Sequence, residues 1–115
     1  MTSGGTTDDG YAELARLDKV VHEPARLAVV SALRECASAD FTYLRRVTGL
    51  SKGNLSGHLA TLEAAGLVAV TKGYVGRRPT TWVELTELGS YVVDDYWATM
   101  TRVGAALRTR SPHNG

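Results

Sequence analysis

In the run SKGNLSGHLAT, the chain places Ser51, Lys52, Asn54, Ser56, His58 and Thr61 close together, all short or flexible hydrogen-bonding side chains. A second group follows, with Lys72, Arg77 and Arg78 set around Gly73 and Gly76. Hydroxyls and lysine suit phosphate oxygens, and asparagine can pair with adenine. Arginine suits phosphates or a narrow minor groove. This is the chemistry of gripping a polyanion. No nucleophile–base pair, carboxylate pair or phosphate-binding loop stands out, so an enzyme is a distant third reading.

The charge is placed to match. Over the 115 residues the formal net charge is only +1. Residues 40–80, however, hold six basic side chains (Arg45, Arg46, Lys52, Lys72, Arg77, Arg78) against Asp40 and Glu63, a local +4. The remaining seven basic and ten acidic residues give −3. A nearly neutral chain with one basic block fits a polyanion-facing surface, the alternative being a solvated charged face.

With 43% hydrophobic and 22% charged residues, one domain with a buried core is expected. The single cysteine, Cys36, allows no internal disulfide and no Cys pair for a metal. Its phase with Val29 and Leu33 predicts a buried thiol, with a redox role as the alternative. No metal or cofactor is expected. Apolar runs are too short for a membrane helix, and no signal-peptide pattern is visible, so a cytoplasmic setting is expected.

The elements that must position these residues follow from spacing and punctuation. Residues 1–10 and 109–115 read as disordered tails around one domain over 11–108. A first helix is predicted from Tyr11 to Val21, with Leu14, Leu17 and Val21 at helical spacing. Pro24 opens a second carrying Leu27, Val30, Leu33 and Ala37, and Asp40 caps a third over Phe41–Val47, stopped by Gly49. Ser51 caps a fourth from Lys52 to Ala65, ended by Gly66, with Leu55, Leu59 and Leu62 as its buried row. Leu67–Lys72 and Thr80–Leu85 form a hairpin around a turn marked by Gly73, Gly76 and Pro79, and Thr86 caps a last helix to Arg108. The fold class is mainly α with a small β-hairpin, in the order α-α-α-α-β-β-α.

Opposite the leucine row at 100° per residue lie Gly53, Gly57, Ala60 and Ala64, flanked by Asn54 and Thr61. So small an outer face can sit deep in a major groove; close helix packing is the other use for the glycines. Lys52 reaches either guanine or a phosphate, and Ser51 and Ser56 suit backbone phosphates. His58 falls at the boundary, touching core or phosphate rather than a metal. Arg45 and Arg46, on the preceding helix, are weaker phosphate candidates. Lys72, Arg77 and Arg78 either grip DNA or protect an exposed strand edge.

Helices at 41–65 joined by a tight glycine turn, followed directly by a basic hairpin, make a helix-turn-helix with a wing. The stretch SKGNLSGHLATLEAAGLVAV resembles the recognition helix and first wing strand of winged-helix transcriptional regulators of the MarR and ArsR type. HEPARLAVVSAL resembles their opening core helix, and GYVGRRPTTWVELTELG their wing and last-helix start. The resemblance implies binding to double-stranded DNA and a two-fold homodimer built from first and last helices. ArsR-type metal sensors carry paired cysteines, which this chain lacks.

On the last helix, Leu88, Val92, Tyr96, Val103 and Leu107 cluster on one side, and Val93, Trp97, Met100 and Gly104 widen the arc. So much apolar surface predicts a partner; packing under the N-terminal helix is the alternative. The expected interface comprises Leu14, Leu17, Val93, Tyr96, Trp97, Met100 and Gly104. Tyr91, Tyr96 and Trp97 are candidates to line an effector pocket, although no effector is identified. The resulting expectation is a dimeric repressor on an inverted-repeat operator; the alternative is a winged-helix interaction module without DNA binding.

Overall fold

The computed structural model describes residues 10–109. Apart from Gly10 and Thr109, the expected tails lie outside the described residues. The elements are α1 (Tyr11–Ala15), α2 (Pro24–Cys36), β1 (Ser38–Asp40), α3 (Phe41–Thr48), α4 (Lys52–Ala64), β2 (Val68–Val75), β3 (Arg78–Leu85) and α5 (Glu87–Thr109).

Local chemistry sets most of the boundaries. Glu23 caps α2 by accepting from the Arg26 amide at 2.7 Å, with Pro24 at the first helical position. Asp40 accepts from Tyr43 N at 2.7 Å, and Gly49 at φ 73° closes α3 in a left-handed conformation that favours glycine. Ser51 Oγ accepts from Asn54 N at 3.1 Å, and Thr86 Oγ1 from Gly89 N at 3.0 Å.

The core is one cluster. Leu55, Leu59 and Leu62 of α4 meet Val29, Val30 and Leu33 of α2, Leu44 of α3, Val83 of β3, and Val93 and Tyr96 of α5. Each such side chain contributes about 1.5–3 kcal/mol by leaving water. The predicted leucine row of α4 is therefore its inward face.

Four expectations need correction. The first helix stops at Ala15 because Asp18 Oδ1 accepts from Val20 N (2.9 Å) and Val21 N (3.0 Å), folding residues 18–21 into a turn; Leu17 packs from a loop. A strand precedes the third helix, so the sheet has three strands in the order β1-β3-β2, with Ala39 opposite Val83. The hairpin is longer than expected: Val75 pairs Arg78 across a turn of only Gly76 and Arg77, leaving Gly73 and Pro79 inside strands. Cys36 is exposed, its Sγ donating to Ala32 O at 3.2 Å.

The last helix is also turned from its expected phase. Gly89, Val93, Tyr96, Thr99 and Val103 face inward, whereas Leu88 is 51% exposed and Leu107 points outward. Gly89 explains the rotation, since a Cβ there would drive into the Leu67 carbonyl. The helix lies on its glycine.

Candidate nucleic-acid interface

With its leucines inward, α4 turns Lys52, Gly53, Asn54, Ser56, Gly57, Ala60 and Thr61 to solvent. Ser51 is spent as the cap, and Thr61 Oγ1 donates to its own helix at Gly57 O, 3.2 Å away. A Cβ on Gly53 or Gly57 would meet nothing within 4 Å. Packing within the chain therefore does not require either glycine, although Gly57, in the helix interior, costs α4 about 0.5–1 kcal/mol relative to alanine. What they leave is a flat face, and a flat face lets a helix approach another body closely.

Two open clefts flank this face. The first, of about 570 Å³, lies between α3 and β3 and includes Tyr43, Arg45, Arg46, Lys52 and Arg78 in its lining. The second, of about 380 Å³, lies between α4 and the wing and includes Phe41, Lys52, Ser56, Val70 and Lys72. Lys52 borders both. Arg46 stacks over the Tyr43 ring at 5.2 Å from its centroid, and Arg45 Nε donates to Leu50 O at 3.4 Å. Among the described residues, none of Arg45, Arg46, Lys52, Lys72, Arg77 and Arg78 is in an ion pair.

The structure thus brings Arg45, Arg46, Lys52, Ser56, Lys72 and Arg78 around two adjoining clefts, with Asn54 and the glycines on the exposed helix face beside them. Arg77 stands apart at the hairpin turn. His58 departs from the group: it is half-buried, with Nδ1 3.4 Å from Arg26 Nη1 on α2. The sequence reading missed Phe41 and Tyr43, which line the clefts; Tyr43 at three residues before Arg46 was the available signal.

The residues expected at a dimer interface divide. Val93 (0% exposed) and Tyr96 (4%) close the chain's own core and have no surface left for a partner, which corrects their assignment. Tyr96 Oη bonds His22 Nδ1 at 2.8 Å. Leu17 and Met100 pack partly buried against that core. Trp97 is 45% exposed with its Nε1 donating to Ser31 Oγ at 3.0 Å, so its polar edge is satisfied while part of its apolar surface remains open. Gly104 and Leu14 are half-buried. Tyr91 is exposed while Tyr96 is buried, so the three aromatic residues share no pocket within one chain. No helix among the described residues is long and apolar enough to cross a membrane.

Known proteins match this arrangement. The winged helix DNA-binding domain family matches residues 25–103, from α2 into α5. The transcriptional regulator homologue protein of Pyrococcus horikoshii OT3 superposes with a TM-score of 0.78 at 28% identity, covering 87% of this chain and 98% of that one. An uncharacterized protein of Methanocaldococcus jannaschii is 28% identical over 78 residues, 68% of this chain and 85% of its own length. A MarR-family transcriptional regulator from Silicibacter pomeroyi shares the fold, with a TM-score of 0.61 at 21% identity over 90% of this chain and 68% of that one. The family spans the recognition helix, both clefts and the wing, and the chain belongs to the winged helix DNA-binding domain family, as a DNA-binding transcriptional regulator with a MarR-like fold.

Proposed function

We propose that two copies of this chain bind one inverted-repeat operator and repress transcription by occupying it. The observation that carries the reading is Lys52 at the junction of two clefts, which hold Arg45, Arg46, Arg78 and Lys72 against Asp40 and Glu63, beside a helix face flattened by Gly53 and Gly57. In this arrangement α4 enters the major groove. Asn54 and Lys52 meet base edges, while Ser56, the amides at the start of α4, Arg45 and Arg46 meet phosphates, and the wing contacts the backbone through Lys72, Arg77 and Arg78. The chain binds rather than catalyses, in the cytoplasm.

A two-fold dimer joined through α1 and the outer side of α5 (Leu14, Trp97, Met100, Gly104) would set the recognition helices about 34–36 Å apart, one turn of DNA. Half-open Trp97 supports that side as the interface. Footprinting on genomic fragments should show protection of two half-sites at that spacing. The Trp97→Ala, Met100→Ala double variant should sediment as a monomer at micromolar concentration, keep its helical circular dichroism, and lose operator affinity toward single-site levels. If it stays dimeric and binds normally, the interface lies elsewhere. If wild type shifts no genomic fragment, a protein-interaction module replaces the operator reading.

A further inference from the structure

His58 belongs to α4 but not to the face that a groove would meet. Its side chain is 23% exposed and turns toward the start of α2, where Nδ1 lies 3.4 Å from Arg26 Nη1 and 4.0 Å from Glu23 Oε1. Both neighbours are already engaged. Glu23 Oε1 accepts the Arg26 amide as the cap of α2, and Arg26 Nε donates to Val20 O at 2.6 Å. The cluster therefore fastens the recognition helix to the α2 N-terminus and to the loop that leads into it.

We propose that His58 is a positioning residue, setting how α4 sits against α2 and so sharpening sequence discrimination without touching DNA. A guanidinium can only donate, so with Arg26 as partner Nδ1 accepts. Glu23, the cap of α2, and Arg26, in its first turn, are the charged groups facing the ring. One turn away along α4 stand Asn54, Leu55, Thr61 and Leu62, none of them charged. One ring atom thus holds α4 to both charged side chains at the N-terminal end of α2.

The proposal rests on the operator reading above, and two measurements keep the failures apart. In the free protein, His58→Ala should speed amide hydrogen exchange in the middle of α4 and at residues 20–26 together. His58→Asn, whose amide oxygen can stand near the place of Nδ1, should restore protection. On DNA, His58→Ala should lower the ratio of operator to random-duplex affinity about tenfold, the size of losing one hydrogen bond to a charged group, with the salt slope unchanged. His58→Asn should recover that ratio, and it carries the test if His58→Ala fails to fold: protection and discrimination like wild type support the proposal, and equal losses on both DNAs overturn it. Equal losses on both DNAs with a shallower salt slope would make His58 a phosphate contact and overturn the proposal. Unchanged exchange would overturn it too. If wild type fails to distinguish the two DNAs, the operator reading falls and hydrogen exchange alone decides the role of His58.

Discussion

Along α3, α4 and the wing, six cations lie without an acidic partner among the described residues, whereas α2 and α5 each place an arginine in an ion pair inside the chain. There Arg34 donates to both carboxylate oxygens of Asp94, at 2.7 and 3.0 Å, and Arg102 pairs with Glu13 to tie α5 to α1. The two sides treat backbone differently as well. Gly53 and Gly57 face open space on α4, while Gly89 on α5 lies against the Leu67 carbonyl. One side keeps charge and flatness ready for a body outside the chain. The other spends the same resources on fastening helices.

The sharpest way to break this contrast is Gly57→Leu. The added side chain meets no protein atom, so the fold should survive, but it would stand where the groove floor must come. Operator affinity should fall to the non-specific level, about a thousandfold or more, in a fluorescence anisotropy titration. Gly57→Ala, at the same helix-interior position, should raise thermal stability by about 1 kcal/mol. An unfolded or normally binding Gly57→Leu protein would show that the two faces of α4 have been confused.

Two smaller effects sharpen the division of labour on the proposed DNA face. Asn54→Ala should relax preference at one base pair per half-site, costing about 1–3 kcal/mol on the best operator and little on random DNA. Equal losses on both would end direct readout by Asn54. Replacing Arg77 and Arg78 with alanine should instead weaken binding to all sequences alike and lower the salt slope by about one per lost phosphate contact. If a single operator position loses discrimination, these arginines read bases.

The smallest effect belongs to the other side. Hydrogen bonding from Arg34 holds the Asp94 carboxyl below its ordinary range, with their charge attraction adding to it and desolvation opposing. A carboxylate held low in the folded state contributes stability above the ordinary carboxylate range and loses it as pH falls through the folded-state value. Both side chains are half exposed, so solvent screens the pair and keeps its contribution small. Asp94→Asn should lower the melting temperature slightly at neutral pH, with the gap closing in acid and random-duplex binding unchanged. A gap that persists in acid would assign the loss to something other than the ion pair.

The elements of the proposed DNA face were legible in the sequence because their signals are local. Ser51, Asp40 and Gly49 act within one turn of where they stand, and the Leu55–Leu59–Leu62 row needs only helical periodicity. The rest depends on distant contacts. β1 is three residues long and exists because Ala39 finds Val83 on a strand more than forty positions away. The phase of α5 was misread because Leu88 and Leu107 looked like the inward side, when the decisive residue was the one without a side chain. His58 sits in a motif that suggests DNA contact, and only the return of α2 beside it reveals Glu23 and Arg26.

The corner where α4 ends and α5 begins carries a mechanical consequence. Thr86 Oγ1 donates to Gly66 O at 2.6 Å, Thr86 N donates to Leu67 O at 3.0 Å, and Gly89 rests on that same carbonyl. The first turn of α5 is therefore clamped directly to residues 66 and 67, the joint between α4 and the hairpin. Displacing that turn would strain the joint at once, because Thr86 and Gly89 touch it without an intervening segment.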